Sequence, residues 1–437
     1  MFCFLLCLTG CMSQEEKDNR LTEAIRSENI SEVKNWLNKK ANPDVTVSSW
    51  DDGTKISALS YAIVKKNTGI VKLLLQSGAN PNLAPKEGGA ALILASGPYH
   101  DPQIVQLLLE AGADPNVADE AGEAPLMYVC VTHGNPKTIK MLLDAKADPN
   151  ARNKHDVTAL MAASMKGQAA AVKLLLQAGA NPNVADENGT TSLMQASMFH
   201  GDPKIIKMLL DAKADPNARN KHDATALIVA SAKGHVAAVK LLLQAGADPN
   251  AMNEYNTNSL MAASSTKNKE IVELLLQAGA DPNARIDPSW TKKENLTKLM
   301  ASIELSKKKT MSTPLIFASA RGDAELVHLL LKAGADPNGP DSSMNTPLLV
   351  VALSKPSQNN LRIAQMLLKA GADVNYRNQE NKTAYDFAVK KGNKAMMILL
   401  KKSGANPRIN SKKSPQRKEP ITLFKKGGRT ATLHFVK

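Results

Sequence analysis

Asn153-Lys154-His155-Asp156-Val157-Thr158-Ala159-Leu160-Met161-Ala162-Ala163-Ser164-Met165-Lys166-Gly167-Gln168-Ala169-Ala170-Ala171-Val172-Lys173-Leu174-Leu175-Leu176-Gln177-Ala178-Gly179-Ala180-Asn181-Pro182-Asn183 is the stretch on which the fold turns. Asn153 to Asp156 is a polar turn. Thr158 is placed to cap a helix running from Ala159 to about Lys166, because a threonine oxygen there can take up one of the free amides of the first turn. Gly167 breaks that helix. A second helix follows from about Ala169 to Ala178, with Val172, Leu175 and Leu176 recurring at helical spacing. Gly179 supplies the left-handed residue that closes it, and Asn181-Pro182-Asn183 leads out toward another turn.

The closing segment recurs down the chain as Ala-Gly-Ala-Asp-Pro-Asn or a near variant. Its last residue falls at Asn82, Asn116, Asn150, Asn183, Asn217, Asn250, Asn283, Asn338 and Asn375. Most spacings are 33 or 34, the exceptions being 55 before Asn338 and 37 before Asn375. Degenerate units end at Asn42-Pro43 and Asn406-Pro407, which makes eleven units in all. In Asp101-Pro102, Asn135-Pro136 and Asp202-Pro203, an N-cap residue followed by proline marks the start of a second helix. No nine-residue helix holds by itself in water. The units must therefore stack and share one apolar seam, which predicts an all-α solenoid.

This pattern resembles the ankyrin repeat, whose length is 33 residues and whose signature is Thr-Pro-Leu-His. Thr313-Pro314-Leu315 and Thr346-Pro347-Leu348 match its first three positions, and Gly234-His235 matches the turn between its helices. The resemblance covers residues 19–408. It implies helix-turn-helix units joined by β-turn or hairpin loops, a protein partner, and a concave face lined by turn tips and first helices. The signature histidine is replaced by Met161, Ile228, Ile316 and Leu349, so apolar packing has to hold that turn. Lys146 and Lys213 stand where glycine closes the other second helices. Either should carry a strain of about 1 kcal/mol if the left-handed conformation is kept.

Composition agrees with thin helices rather than a conventional globule. The chain has 437 residues, 43% hydrophobic but only 4% aromatic. The net charge of +14 is concentrated at the C-terminus: from Arg408 to Lys437 there are nine basic residues and one acid, Glu419. Catalysis is not expected. There is no phosphate-cradling glycine loop, zinc-ligand spacing or nucleophile elbow, and no cofactor or small-molecule substrate is implied. His155 and His222 are equivalent tip residues, and His100, His133 and His200 occupy equivalent inter-helix turns, so their recurrence follows the repeat. Cys130 reads as a small buried hydrophobe.

Phe2 to Leu8 is apolar and too short to span a bilayer, which takes about 20 residues. It ends at Leu8-Thr9-Gly10-Cys11, which resembles the lipobox of bacterial lipoproteins. That resemblance implies a signal segment over 1–10, acylation of Cys11, a tether over 11–18, and a cell-envelope location. Met12 resembles an outer-membrane sorting residue. The sequence lacks the basic residues that normally open such a signal. Secretion as an effector that binds host proteins is the alternative, with Cys11 then unmodified.

Residues 117–183 and 184–250 are near copies, identical at 49 of 67 positions. Half of the differences fall between Ala121–Thr132 and Asn188–Phe199, the turn and first helix. This singles out Glu123, Val131 and Thr132, and their counterparts Thr190, Met198 and Phe199, as partner contacts. Tyr128 and Cys130, against Gln195 and Ser197, look like core positions that also changed. Tip charges alternate: Arg152, Lys154 and His155 form one basic tip, Arg219, Lys221 and His222 another, with Glu187 and Asp186 between them. An alternating row suits a protein partner better than a phosphate backbone, so nucleic acid is not the expected ligand.

The long spacing holds an insertion over 286–309, with Trp290 and a helix-like run from Leu296 to Leu305. It is expected to fold back onto the array or to touch a partner. Residues 409–437 form a basic tail in which Ile421–Phe424 and Thr430–Val436 could pair as a hairpin. Anionic lipid or nucleic acid is its possible ligand.

Overall fold

The computed structural model describes residues 12–48, 55–83, 90–255, 257–266, 268–285 and 313–406. Among them, 22 helices make eleven successive antiparallel pairs, one per unit. Units 1 to 4 are α1 (Gln14–Arg26) with α2 (Ile30–Asn38), α3 (Ala58–Val64) with α4 (Thr68–Gln76), α5 (Ala91–Ser96) with α6 (Pro102–Glu110), and α7 (Pro125–Thr132) with α8 (Pro136–Asp144). Units 5 to 8 are α9 (Ala159–Met165) with α10 (Ala169–Gln177), α11 (Ser192–Phe199) with α12 (Pro203–Asp211), α13 (Ala226–Lys233) with α14 (Val236–Gln244), and α15 (Ser259–Thr266) with α16 (Lys269–Gln277). Units 9 to 11 are α17 (Pro314–Ala320) with α18 (Ala324–Lys332), α19 (Pro347–Leu353) with α20 (Gln358–Lys369), and α21 (Ala384–Lys390) with α22 (Lys394–Lys402). A short antiparallel hairpin, β1 (Thr46–Ser48) with β2 (Lys55–Ser57), joins units 1 and 2, and Val47 faces Ile56 across it.

Local signals place the helix ends. Thr158 Oγ1 accepts from Met161 N at 3.3 Å, and Thr191, Thr225, Thr313 and Thr383 cap their helices in the same way. Asp101, Asn135 and Asp202 cap second helices that start with proline. Lys146 and Lys213 keep φ at +71° and +68°, in the left-handed region that glycine occupies in most other units. Met161, Ile228, Ile316 and Leu349 are buried where the signature histidine would stand, so apolar packing does hold that turn. The first helix begins earlier than expected. Ser13 caps it through Glu16 N, with Glu15 and Glu16 in the first turn, so residues 14–18 are helix rather than tether.

Each first helix packs on the first helix of the next unit, and second helices do likewise. One apolar cluster thereby runs from Leu21 to Ala405 without a break. Fully covered leucines such as Leu74, Leu108, Leu175 and Leu242 supply its middle layer. Each is worth about 1.5–3 kcal/mol of burial, which no single unit could realise alone.

A polar seam reinforces the stack. Asn150 Oδ1 accepts from Asn181 N at 2.7 Å, and Asn150 Nδ2 donates to Gly179 O at 3.1 Å, both in the next unit. Asn82, Asn116, Asn183, Asn217 and Asn250 repeat this double contact. Asn283, Asn338 and Asn375 do so too. Asn283 reaches Gly334 O at 3.0 Å and Asp336 N at 2.7 Å, so the ladder crosses the long spacing with the same geometry as elsewhere. Units 8 and 9 are neighbours in the stack, and Met261, Ala284 and Phe317 form a small cluster of their own at that junction. The insertion over 286–309, the tail over 409–437, and Cys11 with the apolar segment before it lie outside the described residues.

Candidate interaction surface

The turn tips are built by side chains that fold back on their own backbone. Asn153 Oδ1 accepts from His155 N and Val157 N, both at 2.9 Å. Asp119, Asp186, Asn220 and Asn253 do the same in their units. Neighbouring tips are then joined main chain to main chain: Lys154 N to Ala121 O, Glu187 N to His155 O, Lys221 N to Asn188 O, and Glu254 N to His222 O, at 2.8–3.0 Å. The tips of units 4 to 8 thus form one continuous edge.

On this edge the alternating charges meet each other. His155 Nδ1 lies 3.1 Å from Glu187 Oε2, and His222 pairs with Glu254 in the same manner. Arg152 donates to Ala185 O at 2.8 Å and lies 3.4 Å from Asp156. Arg219 donates to Met252 O at 3.0 Å and is 3.9 Å from Asp223. Five of the expected contact residues (Arg152, His155, Glu187, Arg219, His222) are therefore engaged across unit junctions. Lys154 and Lys221 are exposed, and among the described residues neither has an ion pair. Glu123 is half-buried and accepts from Asn153 Nδ2 at 3.4 Å, while Thr190 is half-buried in its own tip.

The first-helix ends hold the other group. Val131 and Met198 are half-buried at equivalent positions, with Met165 between them in unit 5. Thr132 is exposed, and its hydroxyl donates to Tyr128 O at 2.6 Å. Phe199, its counterpart, is 52% exposed. The helices that carry these residues, α7, α9 and α11, pack side by side, so the side chains line one strip.

Tyr128 belongs to that strip and not to the core, which corrects the reading from sequence. It is half-buried, and its hydroxyl donates to Asp119 Oδ2 at 2.7 Å. The bond and partial burial push the phenol up to about 12. Burial raises the Asp119 carboxyl, but the bonds from Tyr128 and the tip amides outweigh it and leave the acid below its ordinary value. A Cβ at Gly97 would come within 2.8 Å of Tyr128 Cδ1, so glycine there makes room for the ring. The available signals were an acid nine residues before a tyrosine and a glycine, Gly97, just past the end of the first helix one unit back. The same pattern is absent from unit 6, where Gln195 replaces the tyrosine.

The inter-helix turns carry a line of histidines. His100 and His133 rings are 4.9 Å apart, and His100 Nε2 is 3.0 Å from Thr138 Oγ1. Burial, then the neighbouring His133, lowers the His100 pKa. Burial also lowers that of His235, helped by Lys233 and His200. Among the described residues no three acid, histidine or cysteine side chains converge as a metal site. Cys130 is fully buried, and burial pushes its thiol up to about 12, which keeps it protonated. No helix among the described residues is long and apolar enough to cross a membrane.

A family model described as ankyrin repeats in three copies matches residues 21–119, 92–186, 126–220, 193–286, 291–378 and 315–413 in successive, overlapping placements. No curated protein matches the chain.

Proposed function

Because the chain belongs to the ankyrin-repeat family, whose repeats generally mediate protein–protein interaction and whose members are typically non-enzymatic scaffolds, we propose that it holds a protein partner on the strip formed by Tyr128, Val131, Met165, Met198 and Phe199. The observation that carries this reading is Phe199. A large apolar side chain lies open to water at one end of the strip, and two units away at its other end stands a tyrosine whose hydroxyl is already fixed. Rigid aromatic anchors of this kind give contact area at little cost in conformational freedom. The tip edge flanks the strip and offers Lys154 and Lys221 for orientation. Since the tips are bonded to each other before any partner arrives, binding needs little rearrangement.

Attachment to a cell envelope through a lipid on Cys11 is the second part of the proposal. It rests on the Leu8-Thr9-Gly10-Cys11 sequence alone. Two acyl chains would make such anchoring firm, at about 0.8 kcal/mol per buried methylene.

Crosslinking capture from the native cell with wild type, Phe199→Ala and Tyr128→Ala tests the first part. Loss of the same captured protein in both variants, with unchanged melting, supports the strip as the contact. Undiminished capture in both would refute it. Incorporation of labelled palmitate into wild type but not Cys11→Ser tests the second, and no incorporation into wild type would rule the anchor out.

A further inference from the structure

The outward face of the second helices carries a row that partner binding on the strip leaves unused. One position recurs on successive second helices, and in units 1, 2, 4, 5, 6 and 7 it holds Lys34, Lys72, Lys140, Lys173, Lys207 and Lys240. All six are exposed. Unit 3 has Gln106 there, also exposed. Adjacent second helices are in contact throughout, so the row advances by one helix spacing per unit, about 8–10 Å. Its length is therefore roughly 50–60 Å from unit 1 to unit 7.

The surroundings keep the row positive. Gln76, Gln177 and Gln244 flank it as neutral neighbours, and Lys137 and Lys204 add charge in units 4 and 6. The local acids are Glu32, Glu110, Asp144 and Asp211, of which Asp211 lies 3.2 Å from Lys207. That pair is exposed and contributes little. The tip edge differs, since its charges are cancelled by opposite neighbours. The row also stops. The same position in units 8 to 11 holds Glu273, His328, Gln365 and Ile398.

A single-signed row many times longer than the screening distance of about 8 Å calls for a partner whose negative charge is continuous. Arginine, the residue suited to forked phosphate contacts in nucleic acids, is absent from the position, and no aromatic side chain stands there to stack on bases. Long flexible lysines, one per unit on adjacent helices, can instead follow a continuous anionic surface together. We propose that the second-helix face of units 1 to 7 lies against a bilayer leaflet containing anionic phospholipid. The contact is independent of acylation and leaves the first-helix strip facing away from the membrane.

The test is co-sedimentation of full-length Cys11→Ser chain with vesicles of phosphatidylethanolamine containing about a quarter phosphatidylglycerol, an anionic content typical of charged leaflets. Phosphatidylcholine vesicles serve as the neutral comparison. Each lysine near such a surface contributes about fivefold in affinity. The variant K72Q/K140Q/K173Q/K207Q/K240Q should therefore lose at least roughly a hundredfold, with unchanged melting because all five side chains are exposed. The variant K412Q/K413Q/K425Q/K426Q reports on the tail and should keep most of the binding. Salt should weaken wild-type binding. Three results would overturn the proposal: equal binding to neutral and anionic vesicles, full binding by the five-lysine variant, or tighter binding to duplex DNA of about 20 base pairs, a length matched to the row.

Discussion

Replacing Lys146 and Lys213 by glycine should stabilise the protein, and the size of the effect follows from two backbone angles. Both lysines close a second helix with φ near +70°, where eight other units place glycine at +85° to +91°. A side chain in that conformation costs on the order of 1–2 kcal/mol. Glycine removes the strain but gives the unfolded chain more freedom, which returns about 0.5 kcal/mol or more. The net gain is about 1 kcal/mol per site. Little else changes, because both side chains are exposed and the carbonyls that accept from Asn116 and Asn183 belong to the backbone. The two sites are in separate units, so the gains should add to about 2 kcal/mol. Spread over a domain of this length, that raises Tm by about 2–3 °C. A urea titration followed by far-ultraviolet circular dichroism is the sharper assay, since solenoids often depart from two-state melting. Lys173→Gly, in the middle of α10, is the control and should destabilise by about 1 kcal/mol. A midpoint for Lys146→Gly that is unchanged or lower would refute the strain argument.

Other measurements probe the seam and the core. Asn217→Ala removes the acceptor for Asp248 N and the donor to Gly246 O, and should cost about 1–2 kcal/mol, read as a lower urea midpoint; no change would mean that water replaces both bonds. Ser197 Oγ is buried without a hydrogen-bond partner, as are Ser164 and Ser231 at the same position, so Ser197→Ala should raise the midpoint by about 1 kcal/mol, and a fall would contradict that. The depressed histidines make stability sensitive to pH. Burial lowers His100 and His235 in the folded chain, so the unfolded chain takes up protons first as pH drops below about 6.5. Stability is then full above that value and is lost on acidification toward the folded-state pKa values. Tm should fall between about pH 7.5 and 5.5, and less steeply in H100Q/H235Q; identical slopes would discount these two groups.

Much of this molecule is written locally. Thr158, the Asp-Pro and Asn-Pro starts, Gly179 and the left-handed Lys146 each act within a few residues, and each appears in the structure where the sequence places it. The eleven-unit count follows from a spacing that any reader of the chain can measure. The family resemblance seen at Thr313-Pro314-Leu315 rests on equally local signals, and the match over residues 21–413 agrees with it.

The roles that depend on a neighbouring unit were not legible. Asn150 marks a period in the sequence, but only the stack shows its side chain bridging to Gly179 and Asn181. Arg152 and His155 read as outward-facing charges, yet their partners sit about one repeat further on, at Ala185 and Glu187. Tyr128 passes for a core residue by its helical position, while the room made by Gly97 and the bond to Asp119 turn it onto the surface strip. Where each helix starts and stops is decided by caps and breakers within one turn, so the sequence alone determines it. Which side chains face a partner is decided by how adjacent units are set against each other, and that angle emerges only when the shared apolar seam is packed.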